Sequence, residues 1–394
     1  MRLLNPFFFF LAFFIPIHIV GGGDIYLENT RMLLSTIWFL SCLVFPLFFV
    51  RSRISSQECA VLLTIKTREK YGSYKKNFII VFFLSQCVNF LFLTAILFGD
   101  ANIANLRREI SSFLPGSVIL FTTTLSYISF VVLLVLFSKA THKTIMPSKI
   151  CYFLLVFAVG LSATTGSRSA SLFYLFSFGI YFYSGSNLKV SRMLIIAIFA
   201  FLVVGALSLF RIYSSENLGH IGWYISEGII VPDQYLISSI NLIIFQFRDI
   251  VIRTSEIFMN VPSVIPFQGG KSLMNGFLMS LFDDYQNPHI LVHHIIFNAQ
   301  STQDAGFPPT FVSQYWFDFG TWGVVILSVL YSFISWVLFY NFSKSTTNIK
   351  WFVLYIAFLY FTLLSMYGAF EVFRLLLIAA ALPFLSLFRV KIKS

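Results

Sequence analysis

Ten apolar runs divide this chain, at residues 5–21, 32–50, 77–98, 117–137, 150–163, 169–184, 193–210, 320–340, 351–367 and 375–388, and none carries a carboxylate or a lysine at its centre. A helix needs ~20 mainly apolar residues to cross ~30 Å of hydrocarbon. Runs of this number and length predict an all-α polytopic integral membrane protein with about ten transmembrane helices. Composition agrees: 58% of the 394 residues are hydrophobic and 11% are charged, where soluble domains carry about 25% charged residues. Such a chain has too little polar surface for water, which excludes a soluble enzyme, a disordered chain and a collagen-like fibre. The run after Met1-Arg2 lacks a small-x-small cleavage site, so it reads as a retained first helix.

Orientation follows from the charged connections. With the N-terminus inside, 18 of the 27 Lys and Arg residues fall in inner segments, and 14 of the 16 Asp and Glu residues fall in outer ones. The inner side then carries +16 and the outer side −5. Both termini are expected in the cytoplasm. The net charge of +11 is therefore a topology signal, and no nucleic-acid partner is expected.

One connection dominates. Residues 211–319 form the only large loop, and it lies outside. This gives an N-terminal bundle over 1–210, an outer (periplasmic) loop over 211–319 and C-terminal hairpins over 320–394. The loop is apolar in places: the run Tyr235–Phe247 has thirteen residues, too few to span, and reads as an interfacial or re-entrant helix.

Several chemistries are disfavoured by what is missing. Cys42, Cys59, Cys87 and Cys151 form no CxxC pair, against a disulfide framework or a thiolate zinc site. Gly270-Lys271-Ser272 resembles the end of a phosphate-binding loop, but Ile265 stands where the first glycine belongs. Asp283 and Asp284 are adjacent and point to different faces, so they make no nucleotide-sugar metal motif. His289 and His293 have an i, i+4 spacing that suits a metal on a helix; an interfacial polar patch including His294 is the plainer reading. No metal and no cofactor are expected. A coupled transporter usually needs ionisable groups at mid-membrane, and none is seen.

Two short hairpins say more. Residues 150–184 go out and back in 35 residues, or ~52 Å of helix where two full crossings need ~60 Å. The tip Thr164-Thr165-Gly166-Ser167-Arg168-Ser169 is therefore expected below the outer surface, with Arg168 in it. The last hairpin, 351–388, holds Arg374 similarly, three residues after Glu371. In the large loop, Arg248 and Arg253 lie about 140° apart on a helix and share no face, while Arg253 and Glu256 are spaced for an ion pair. Snorkelling and local ion pairs account for any one of these arginines. Several of them beside one membrane face suit a lipid-linked phosphate or diphosphate, because guanidinium binds phosphate oxygens bidentately.

Gly166-Ser167-Arg168-Ser169-Ala170 between two short helices, a long outer loop with paired arginines, and Gln314-Tyr315-Trp316-Phe317-Asp318-Phe319-Gly320-Thr321-Trp322-Gly323 opening the next helix together resemble the O-antigen polymerases. These are the Wzy-type oligosaccharide repeat-unit polymerases, and the resemblance covers the whole layout. The related O-antigen ligases are matched less well, since His293-His294-Ile295-Ile296-Phe297-Asn298 departs from their His-Asn spacing.

The resemblance implies a C-type glycosyltransferase-like fold and a role in lipopolysaccharide or other surface polysaccharide biosynthesis in the bacterial inner membrane. Donor and acceptor would both be undecaprenyl-diphosphate-linked oligosaccharides, with membrane lipids and a chain-length regulator protein as further partners. Arg168, Arg248 and Arg253 are the first candidates for diphosphate binding, with Arg374 and Arg211 behind them. Glu256, Asp283, His293 and His294 are candidate bases. The aromatics Trp223, Tyr224, Tyr235, Tyr285, Tyr315 and Trp316 suit sugar stacking or, more simply, an interfacial belt. The alternatives are a ligase-type transferase and a lipid-linked oligosaccharide flippase or other transporter; the latter usually shows two related halves, which are not seen.

Overall fold

The computed structural model describes residues 22–44, 56–98, 116–141, 144–164, 168–184, 218–278, 310–344, 348–365 and 372–383, with a few single positions between 202 and 213. The chain is mostly helical. In order the helices are α1 (Thr30–Val44), α2 (Ser56–Tyr71), α3 (Lys75–Ser85), α4 (Cys87–Phe98), α5 (Gly116–Phe137), α6 (Lys149–Thr164), α7 (Arg168–Ser184), α8 (Leu218–Ser226), α9 (Tyr235–Asn260), α10 (Lys271–Leu278), α11 (Phe311–Lys344), α12 (Ile349–Ser365) and α13 (Val372–Ala381). Strands β1 (Lys139–Ala140) and β2 (Ile145–Met146) pair antiparallel in the turn between α5 and α6. Among the described residues, three helices are long and apolar enough to cross a membrane: Val118–Phe137, Tyr235–Asn260 and Val312–Phe342. Lys149–Ser162, Ala170–Phe182 and Ile349–Thr362 are apolar but shorter. Run 5–21, most of run 193–210 and residues 279–309 lie outside the described residues.

The chain forms two compact units. The first comprises residues 1–53, 244–344 and 357–375. Here α1 packs along α11. Asn29 starts α1 by accepting the Met32 N–H on Oδ1 at 3.1 Å, an N-cap of a kind that contributes about 1 kcal/mol. Its amide nitrogen donates to Ser255 Oγ at 3.2 Å. Farther along, the ring of Phe39 lies 5.5 Å from that of Tyr331, whose hydroxyl pairs with Thr362. Trp322, Ile326, Val329, Leu330 and Phe333 of α11 are exposed, an apolar outer face suited to lipid.

The second unit comprises residues 54–243, 345–356 and 376–394. Its centre is α5, buried at every residue from Ser126 to Leu136, as expected of a helix apolar all round. Around it stand α2, α3, α6 and α7. The run 77–98, read from sequence as one span, is two helices broken at Gln86. At the break, the buried Gln86 amide donates to Ser126 Oγ and, at 3.1 Å, to Tyr174 Oη. Ser126 and Tyr174 are joined at 2.6 Å. A second buried pair, Thr64 with Tyr181 at 2.8 Å, ties α2 to α7. Buried polar groups in a membrane bundle must find partners inside the protein, and these do so with uncharged side chains.

Candidate functional site

Among the predicted site residues, α9 carries Arg248, Arg253 and Glu256. The helix is longer than its apolar run: it continues through Phe247 to Asn260, 26 residues in all. Beyond Arg248, Asp249 and Arg253 hold each other one turn apart, Nε to Oδ1 at 2.7 Å. The sequence spacing pointed to Arg253 with Glu256; the ion pair seen at Arg253 is with Asp249. Glu256 is half-buried on the same flank, its carbonyl accepting from Asn260 Nδ2 at 2.9 Å. Arg248 is exposed and makes no ion pair among the described residues. As the 140° spacing requires, the two arginines leave different faces.

A second constellation forms where residues 261–278 meet the start of α11. Sequence placed the opening of this helix at residue 320; it begins at Phe311 and bends at Gly320, where φ is 62° and ψ is −145°. In the turn before the bend, the buried Asp318 carboxylate accepts the Ser272 N–H at 3.0 Å, the Ser272 hydroxyl at 2.7 Å and the Leu273 N–H at 3.0 Å. It thus caps α10 from 46 residues away in sequence. The Gln268 and Gly269 N–H groups add bonds to the carbonyls of Phe317 and Asp318 at 3.1 and 2.8 Å. Two phenylalanines close the joint. The Phe267 ring sits where a Cβ on Gly320 would be, and the Phe319 ring does the same at Gly270. The likeness of Gly270-Lys271-Ser272 to a phosphate loop has its explanation here: the helix N-terminus that would hold an anion already holds the Asp318 carboxylate.

The remaining predicted residues divide into two groups. Arg168 is the first residue of α7 and Arg374 the third of α13; their side chains lie outside the described residues. Arg211, Asp283, His293, His294 and Tyr285 lie outside them altogether. The aromatic set splits. Trp223 and Tyr235 are exposed, whereas Tyr315 and Trp316 are buried. Trp316 stacks on Phe258 at 4.8 Å and donates Nε1–H to the Val261 carbonyl at 2.9 Å. Tyr315 and Trp316 are thus packed inside, where the sequence reads them as interfacial aromatics or sugar-stacking rings. Asp318 had been assigned no role, since nothing local announces a cap whose partner is 46 residues distant.

No protein-family model, curated protein or solved structure matches this chain.

Proposed function

We propose that the chain is a glycosyltransferase joining undecaprenyl-diphosphate-linked oligosaccharide units into O-antigen or a related polysaccharide at the periplasmic face of a bacterial inner membrane, with about ten spans and both ends in the cytoplasm. The observation that carries this reading is the length of α6 and α7, 16 and 17 residues. Each is about 24–26 Å long, short of the ~30 Å of hydrocarbon. Arg168 is the first residue of α7, which on the proposed topology puts it at a recessed outer tip. A helix N-terminus with an arginine in its first turn favours a multiply charged anion, which suits the diphosphate of a lipid-linked donor.

In the proposed reaction a terminal hydroxyl of the lipid-linked acceptor unit attacks the anomeric carbon of the donor glycan. The bond from that carbon to the diphosphate oxygen breaks, and undecaprenyl diphosphate leaves with the electron pair. Arg168 and Arg253, with Arg374 and Arg211 behind them, stabilise the developing charge, which is worth most in a partly dry site. The proton of the hydroxyl passes to a base drawn from Glu256, Asp283, His293 and His294. Arg248, on a different face from Arg253, is left out of this set.

The test is a gel of surface glycan from a strain lacking the gene, with and without its restoration. A ladder that collapses to lipid core plus one repeat, and returns on complementation, supports the polymerase. Loss of every repeat moves the reading to a ligase-type transferase or to export.

A further inference from the structure

The outward face of α9 is mostly apolar, with Arg248 and the half-exposed Asn241 as its polar residues. Ile237, Ile240, Ile244, Arg248 and Ile252 are all exposed. At 100° per residue they fall in a sector of about 120°, with Arg248 near its middle. Asp249, Arg253 and Glu256 occupy a flank beside that sector, where Asp249 and Arg253 are paired. Ile250, Val251, Thr254, Ile257 and Phe258 are buried against the protein. Val251 and Phe258 fall in the same sector as the stripe and are buried, so the stripe narrows beyond Arg248; the helix has a packed face, a charged flank and a mostly apolar stripe with a cation in it.

Length and mean hydropathy would both let α9 cross a membrane, but the position of Arg248 opposes it. It is the fourteenth of 26 residues, about 20 Å from either end of a helix about 39 Å long. In an upright crossing, an outward guanidinium with no ion pair among the described residues would face acyl chains at the bilayer centre, the costliest depth for arginine. Asp249, Arg253 and Glu256 would follow in the same half. Lying flat removes the conflict. The stripe then sinks about 5–10 Å into the boundary of headgroups and acyl chains, the charged flank stays at headgroup level, and arginine on its long apolar stem reaches the lipid phosphates.

We infer that α9 lies in the membrane plane, with the stripe from Ile237 to Ile252 seated on acyl chains and the Arg248 guanidinium held by phosphates of the bilayer phospholipids. Arg248 then belongs to the membrane surface and not to the diphosphate site, and the inference stands apart from the transferase reading.

The test places single cysteines at 237, 240, 244 and 252, with Cys42, Cys59, Cys87 and Cys151 replaced by serine. They are spin-labelled in vesicles of phosphatidylethanolamine and phosphatidylglycerol that hold no polyprenyl lipid. Collision with oxygen and with a water-soluble nickel chelate reads the depth of each label. One common depth, within about 5 Å across the four sites, is the expected result. Labels shallow at 237 and deep at 244 and 252 mean a crossing helix and overturn the inference; labels in bulk water overturn it equally. With the native cysteines, dephasing of 13C-guanidino arginine by lipid 31P is expected to fall in Arg248→Gln. Unchanged dephasing would remove the phosphate contact. Substrate is absent from both measurements, so neither outcome depends on the glycan ladder.

Discussion

Asp318 and Ser272 are bound at two points, hydroxyl to carboxylate at 2.7 Å and backbone N–H to carboxylate at 3.0 Å, although 46 residues separate them. With Leu273 as third donor, this one carboxylate fixes where the start of α10 meets the first part of α11. A charged acceptor on helix N–H groups is stronger than a neutral one, and of these donors Ser272 is buried. Asp318→Ala leaves them unpaired and is expected to cost about 2 kcal/mol of stability, read as a lower unfolding midpoint in detergent. Asp318→Asn keeps one oxygen acceptor and should lose less. Equal midpoints for wild type and alanine variant would show that the cap contributes nothing.

Gly320 is expected to tolerate no side chain. Its φ of 62° is a left-handed value that favours glycine, and a Cβ there would lie 2.5 Å from Phe267 Cζ. Gly320→Ala should therefore destabilise by about 2–3 kcal/mol, part from backbone and part from the ring. Adding Phe267→Ala relieves only the second part, so the double variant should melt between the two. Full rescue would mean that the backbone carries no strain.

Tyr174→Phe removes one hydroxyl from the cluster with Gln86 and Ser126. Because both partners are buried, the loss is expected to be about 1–2 kcal/mol. A midpoint unchanged from wild type would argue that water replaces the tyrosine.

Arg168→Ala is expected to stop chain elongation while leaving the protein in the membrane, as judged by a single-repeat band with normal membrane abundance. Arg168→Lys should also be poor, since lysine offers a point charge where arginine offers a fork. A ladder of normal length from the alanine variant takes Arg168 out of the site.

Reporters settle the orientation. One fused after residue 260 should be active outside the cytoplasm and one fused after residue 65 inside it. The opposite pattern inverts the topology, and the proposed reaction falls with it.

Much of the helical layout was legible because apolar runs end where charged or small residues begin. Run 117–137 became α5, Gly116–Phe137, and run 169–184 became α7, Arg168–Ser184. What escaped depended on tertiary pairing. Gln86 looks like one polar residue within a span until its buried partners are known. The apolar run from Tyr235 ends at Phe247, yet α9 continues to Asn260, with Ile250, Val251, Ile257 and Phe258 buried and Asp249 paired with Arg253 along it. Trp316 and Tyr315 read as interfacial aromatics, and only packing against Phe258 and Val261 shows Trp316 inside. For the site, the arginines announced themselves by rarity among apolar residues, while the Asp318 cap joins two distant segments and has no local pattern.

The shortness of α6 has a consequence for the lipid around it. Tyr152, Phe153 and Val156 leave this helix exposed, so acyl chains meet an apolar wall only about 24 Å tall. A bilayer of ordinary thickness matches such a wall by thinning beside it, at a cost of a fraction of a kcal/mol per Å. On the proposed topology the protein would dent its own membrane, and the dent would draw the headgroup plane down towards the N-terminal end of α7. A lipid-borne diphosphate drifting into that depression would come within reach of Arg168 without leaving the leaflet that carries it.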